Sequence, residues 1–467
     1  MLTVRGFLLF NKAHAMLVNF IKSTLNCVGL KPESRLRRWF NFIYWKIIFK
    51  SQRFRFIQKI NCRGLKSHYA SVIKRLQERV ARHEPIRVGF FVTMDSIFPF
   101  QPLFERMLDD PLFEPYIIVA PPCTYGREFE TENGLKTWNA LVKIYGEERV
   151  WRGFDWETNA YHDYSAQLDI VGFNYPHTVV HPYFYASYLY RKPVLMISTD
   201  YGFFLSKGNS QKWVMKKFFI HSLWRYYAST SWFVETAQKA MFNKAENVEL
   251  TGFVRMDAYK SAPLKKEGER KVVIIAPHHS ISKKISLQVS NFLKYAELFQ
   301  RLPEMYPQID FIFRPHPYLL KHLVKLGAWT QEQTDDYMTR LAAHPNMEIS
   351  LGGNHLPLFA RSDGMIQDSV SFLAEYYYTG KPQCYMLRDK GRTEAQLNDF
   401  GIGCLSHTYH AFREQDILDF LDHVILEGND PMKAERDAFA KENVTLNWPH
   451  VTEKIIASIK SELGVTS

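Results

Sequence analysis

The sequence predicts an α/β protein of two facing Rossmann-like domains, carrying a basic helical extension at its N-terminus. Three observations lead there. Short apolar segments alternate with helical stretches from residue 86 onward, and they do so in two successive sets. A charge-rich stretch at 255–270, RMDAYKSAPLKKEGER, separates the sets. The excess positive charge lies ahead of both.

That charge is counted easily. Residues 1–87 hold 19 Lys and Arg against 3 acidic residues, and the remaining 380 hold 40 against 45. A charge confined to one end argues for a local basic module and against a nucleic-acid-binding surface along the whole chain. Within it, residues 35–60 read RLRRWFNFIYWKIIFKSQRFRFIQKI, with Trp39, Phe42, Ile43, Ile47 and Phe49 near helical spacing and cations between them. Aromatic rings at the headgroup boundary and cations toward anionic lipid make an interfacial helix. The plainer reading is a helical hairpin packed on the protein body, and RNA stacking is a third, without RNA-module signatures to support it. A helix is expected over 64–84, ended by Pro85.

No apolar run approaches the roughly 20 residues of a spanning helix. The run before Ala13-His14-Ala15 is too short for a signal peptide. Cys27, Cys62, Cys123, Cys384 and Cys404 are odd in number and lack CxxC spacing, so a reducing compartment is expected. The expected location is cytoplasmic, peripheral on the inner face of the membrane, with residues 1–85 meeting an anionic surface.

In the first set, expected at 86–260, strands are read at 86–92, 116–119, 168–173, 193–198, 226–228 and 248–250. The second set, 261–467, gives strands at 271–275, 311–313, 347–349, 364–366 and 384–387. Buried parallel strands of this kind place ligands at their carboxyl ends.

Four segments follow such ends. After 271–275 comes Ala276-Pro277-His278-His279-Ser280-Ile281-Ser282, where His278 is a candidate base and His279 and Ser280 are candidate phosphate donors. After 311–313, Arg314-Pro315-His316-Pro317 presents a guanidinium and an imidazole suited to phosphate. After 364–366, Asp368, Ser369 and Ser371 open a helix whose N–H groups favour a diphosphate, and Glu375, two turns on, is placed to accept ribose hydroxyls. In the first set, Asp200 is a candidate base and Tyr201 an alternative proton handler. His177 and His181 have a spacing also used for metals, weakened by Pro182. Each segment also has a structural reading, as an N-cap or a stiff polar turn.

The order IIAPHHSIS, FIFRPHP, DGMIQDSVSFLAEYYYTGKP resembles that of the CDP-glycerol glycerophosphotransferase family, which builds teichoic-acid-type and some capsular polymers. The last segment is similar to the family's SDYSSV…D…KP. Counted back from Pro382, Asp368 takes the place of that Asp, Ser371 of the second Ser and Glu375 of the later Asp. His316 resembles the histidine of the family's phosphate-binding loop. The resemblance covers about residues 190–410. It implies a GT-B fold, with nucleotide on the second domain and acceptor on the first. It also implies metal-independent, inverting transfer of a polyol phosphate from a CDP-activated donor, without a cofactor. The implied partners are a nucleotide-diphosphate donor and a lipid-linked or polymeric glycan acceptor. One departure stands out: where family polymerases carry Trp-His-Gly, this chain reads Asp200-Tyr201-Gly202. The alternatives are a GT-B glycosyltransferase using a nucleotide sugar, and a non-catalytic scaffold of a polysaccharide assembly.

Overall fold

The computed structural model describes residues 55–176, 179–207, 215, 217–261, 268–281 and 289–465. The aromatic and cationic stretch at 35–54, His177 and Ser282 lie outside these residues. Among the described residues no helix is long and apolar enough to cross a membrane.

Two parallel sheets organise the chain. The first contains β1 (Ile86–Val92), β2 (Phe113–Val119), β3 (Val150–Arg152), β6 (Ile170–Phe173), β7 (Leu195–Thr199), β8 (Arg225–Ala228) and β9 (Val248–Leu250). Its order is β3-β2-β1-β6-β7-β8-β9, and a small antiparallel hairpin, β4 (Phe154–Asp155) with β5 (Ala160–Tyr161), stands beside it. The second holds β10 (Lys271–Ala276), β11 (Ile309–Phe313), β12 (Met347–Ile349), β13 (Gly364–Gln367), β14 (Gln383–Met386) and β15 (Tyr409–Ala411), in the order β12-β11-β10-β13-β14-β15. Each order reverses direction beside its first strand. In open α/β sheets that switch point opens a crevice at the carboxyl ends, where ligands bind.

The central strands are apolar throughout because both of their faces are covered. In β10, Val273 and Ile275 enter one core while Val272, Ile274 and Ala276 enter the core on the other face. The same strand ends at Ala276, and only Pro277 separates it from His278, so the rigidity of a doubly buried strand is passed to the site.

Helices near both ends of the described chain pack on the first sheet. The helix Leu65–Ala81 buries Leu65, Tyr69, Val72 and Leu76, a single stripe at helical spacing, in the core of the first sheet. Full burial of a side chain such as Leu76 stabilises by about 1.5–3 kcal/mol. Three of the basic residues are tied down as well: Arg75, Arg79 and Arg87 lie 3.5, 3.2 and 3.6 Å from the buried Asp169 carboxylate. This part of the basic segment is therefore packed on the body. At the other end, the helix Val451–Glu462 returns from the second half and buries Ile455, Ile456 and Ile459 against the first sheet.

The halves are also joined through the segment after β7. Phe203 and Leu205 are buried in the core of the second half, and Ser206 pairs with Leu397 in an antiparallel bridge. Asn398 donates from its backbone to Leu205 O (2.8 Å) and from its side chain to Phe204 O (2.6 Å).

Candidate functional site

The switch point of the second sheet lies between β10 and β13, and the loops after β10, β11 and β13 meet there. Asp368 is wholly buried and holds the loops together: its carboxylate accepts from the backbone N–H of His278 (2.6 Å) and of Asn291. Burial pushes its pKa up to about 7, against the pull of those hydrogen bonds. Asp368 therefore shapes the site from behind, where the sequence suggested a residue facing the ligand. In Asp368→Asn an amide must replace a carboxylate that accepts two N–H donors, and its NH₂ opposes one of them. The expected cost is about 1–3 kcal/mol, read by urea unfolding.

Three imidazoles converge in front of this strap. Ring centroids lie 4.3 Å apart for His278 and His279, 4.1 Å for His279 and His316, and 5.1 Å for His278 and His316. One ligating atom from each falls within 4.8 Å of the others, as a metal site would require. Their hydrogen bonds argue for a different use. Ser280 Oγ accepts from the N–H groups of Val289 (3.2 Å) and Ser290 (3.3 Å), so its own proton goes to His278 Nδ1, 2.7 Å away. His316 Nδ1 accepts from the Tyr318 N–H at 3.1 Å. In a neutral ring whose Nδ1 accepts, the proton resides on Nε2. Both rings thus offer an N–H, which suits an oxyanion; a metal would need the Nε2 lone pair. Burial, and secondarily the neighbouring imidazoles, lower His278 to about 2 and His316 to about 3, so the rings are neutral at physiological pH.

The remaining expected ligands are placed differently. Arg314 donates to Ser350 Oγ (2.7 Å) and to the carbonyls of Gly352 (2.9 Å) and Gly353 (2.7 Å). These bonds fix the loop at 350–353, so the bidentate grip on phosphate expected from the sequence is not the arrangement present. Glu375 is buried and accepts from His355 Nε2 at 2.7 Å, which removes it from the expected ribose contact. Burial raises that carboxyl, but the His355 hydrogen bond and the His355 and Arg255 charges hold it below its ordinary value. Ser369 caps the six-residue helix Val370–Glu375 by position, without a side-chain cap bond, and Ser371 is exposed in its first turn.

On the first sheet, Asp200 is also buried; its carboxylate accepts from Tyr226 OH (2.5 Å) and from the Ser229 N–H (2.8 Å). Burial pushes it up to about 6 despite those bonds. Tyr201 is less buried and contacts Tyr175 (ring centroids 5.3 Å). The Tyr175 hydroxyl is raised to about 12 by burial and then by the nearby hydroxyls of Tyr201, Tyr125 and Tyr318. Tyr318 follows His316 by two residues, and its ring centroid lies 5.7 Å from that imidazole. His181 is structural: its ring stacks on Tyr161 at 3.8 Å, and its Nδ1 caps the turn Pro182–Phe184.

Two residues of this neighbourhood were missed in the sequence. His322, on the helix Leu319–Lys325, sits with its Nδ1 3.3 Å from His279 Nδ1. Arg255, half-buried after β9, acts electrostatically on Arg314, His355 and Glu375. A histidine following a Pro-rich loop into a helix was the one available signal for His322; Arg255 read as part of a charged linker.

No protein-family profile and no curated protein sequence matches the chain. Solved structures do. A variant of the wall teichoic acid polymerase TagF superposes with a TM-score of 0.56 at 14% identity, covering 88% of this chain and 98% of that one. A UDP complex of S. aureus MnaA gives 0.50 at 13%, covering 82% and 98%. A UDP-N-acetylglucosamine 2-epimerase gives 0.51 at 12%, covering 81% and 96%. At these identities the likeness establishes architecture: the chain has the GT-B fold of two facing Rossmann-like sheets.

Proposed function

We propose that the chain is a transferase that moves glycerol phosphate, or a related polyol phosphate, from a CDP-activated donor to a lipid-linked glycan or growing surface polymer. The observation that carries this reading is the set of converging neutral imidazoles at the switch point of the second sheet, with the proton of His278 and His316 on Nε2. Such donors suit a diphosphate without a bound cation. The fold shared with TagF, a wall teichoic acid polymerase, and the order of the HHS, RPHP and DSVS segments point to the same chemistry.

In this reading the donor diphosphate lies against His278, His279 and His316, with Ser371 at the mouth. An acceptor oxygen bonds to the polyol-bearing phosphorus, the bond to the bridging oxygen breaks, and CMP leaves with the electron pair. Histidine N–H donors offset the charge that builds on CMP. The acceptor proton passes to a base on the first sheet. Asp200, pushed up to about 6, lies in a range useful near neutrality, with the more accessible Tyr201 beside it. The cationic, aromatic stretch at 35–60 would bring the enzyme to the membrane that holds its acceptor.

The released product tests the reaction class. With CDP-glycerol and an acceptor, the expected nucleotide product is CMP, and anionic vesicles raise its rate of release. Release of a nucleoside diphosphate from UDP- or GDP-sugars would instead make the protein a glycosyltransferase. No turnover of any donor would leave the scaffold reading.

A further inference from the structure

His279 is half-buried between His316 and His322, and its own tautomer decides whether the third ring donates or accepts. His322 Nδ1 lies 3.3 Å from the carbonyl oxygen of His279 and 3.3 Å from His279 Nδ1. A carbonyl only accepts, so the proton of this contact belongs to His322 Nδ1. The same N–H then faces His279 Nδ1, which must accept, leaving the His279 proton on Nε2. We infer that His322 is a positioning residue: by holding His279 in the Nε2–H tautomer, it completes a cluster of three neutral donors for a diphosphate group. This inference rests on the nucleotide-donor reading and adds to it the reason all three rings agree.

Each ring is locked by a different device. His278 is held by Ser280 Oγ, itself saturated by two backbone N–H groups. His316 is held by the Tyr318 backbone N–H. The Nδ1 atoms of His278 and His316 each also receive a backbone N–H, from Ser280 (3.3 Å) and Tyr318 (3.1 Å), whereas that of His279 faces the His322 side chain, so His279 is the ring that a single substitution can turn. His322 also stacks on Tyr318, with ring centroids 5.9 Å apart and an interplanar angle of 14°. A purely packing role would be kept by Phe and would leave the tautomer of His279 alone.

The experiment separates these roles. Long-range ¹H–¹⁵N correlation of histidine rings, assigned by comparison with His278→Asn, His279→Asn and His316→Asn, reports each tautomer in the full chain without ligand. The wild type should show Nε2–H for all three. His322→Phe should move His279 alone toward a tautomer mixture and weaken pyrophosphate and CDP binding by about 3–10-fold. His322→Gln, whose amide N–H can replace the donor, should restore both. An unchanged His279 signature in His322→Phe would overturn the inference, as would equal loss in Phe and Gln variants with all tautomers native. A wild type that binds pyrophosphate but not CDP would overturn the CDP-donor reading while leaving the role of His322 intact.

Discussion

His316→Ala should lower donor turnover by about 10²–10³-fold while leaving the unfolding transition nearly unchanged. The size follows from what the ring does. His316 is neutral, its proton is fixed on Nε2 by the Tyr318 N–H, and it stands beside His279 at the ends of β10 and β11. A donor aimed where charge builds on a leaving phosphate contributes more in the transition state than in the ground state, so kcat falls along with affinity. The stability expectation follows from placement, since the ring packs among other imidazoles and Tyr318 and not in the apolar core. The wild type also predicts a pH profile. In the free site burial holds His278 near 2 and His316 near 3, so both rings are unprotonated around neutrality. As neutral N–H donors they neither gain nor lose a proton between pH 6 and 8, so these rings should add no slope to CDP affinity over that window, and His316→Ala should lower the affinity without changing its pH dependence.

Gly252→Ala should destabilise the fold by about 3 kcal/mol or more, among the largest single-residue effects in the chain. Gly252 has φ +99, where side-chain-bearing residues are strained. A Cβ there would also overlap the carbonyl oxygen of Leu446 and come within 3.0 Å of Val451 Cγ2. Neither neighbour is free to give way. Asn447 Nδ2 donates to Thr251 O (2.9 Å), Trp448 Nε1 to Met256 O (2.9 Å), and the Thr452 N–H to Asp257 (2.6 Å). These bonds fasten the returning chain just before the helix Val451–Glu462, so the substitution loosens the contact that brings the C-terminal helix back to the first sheet. Gly428→Ala is the control: its φ is +74 with nothing within 4 Å of a new Cβ, and it should cost only about 1 kcal/mol. Urea unfolding of both variants measures the difference.

The strands that carry the site were legible because burial on both faces writes them as continuous apolar runs, as in Val272-Val273-Ile274-Ile275. The three-residue edge strands were legible only in part: Val248–Leu250 and Met347–Ile349 were read, but Val150–Arg152 and Tyr409–Ala411 were not, because so short a run shows no period. Site loops could be placed at strand ends, but not the direction of each side chain. Asp368 and Glu375 stand at the expected positions in sequence, yet both turn inward, one to two backbone N–H groups and one to His355. Arg314 likewise spends its donors on the loop at 350–353. Such choices depend on partners 20 to 90 residues away, which no local pattern records. The same holds for the C-terminal helix, whose apolar stripe fits either half equally well on paper.

In the proposed function the second sheet holds a cytidine diphosphate on its histidines. Isothermal titration of the full chain with CDP, CMP, UDP and GDP, repeated on His316→Ala, tests it most directly. Selective binding of CDP, weakened by the substitution without unfolding of the protein, is the expected result. Preference for UDP or GDP, or CDP binding untouched by His316→Ala, would contradict it.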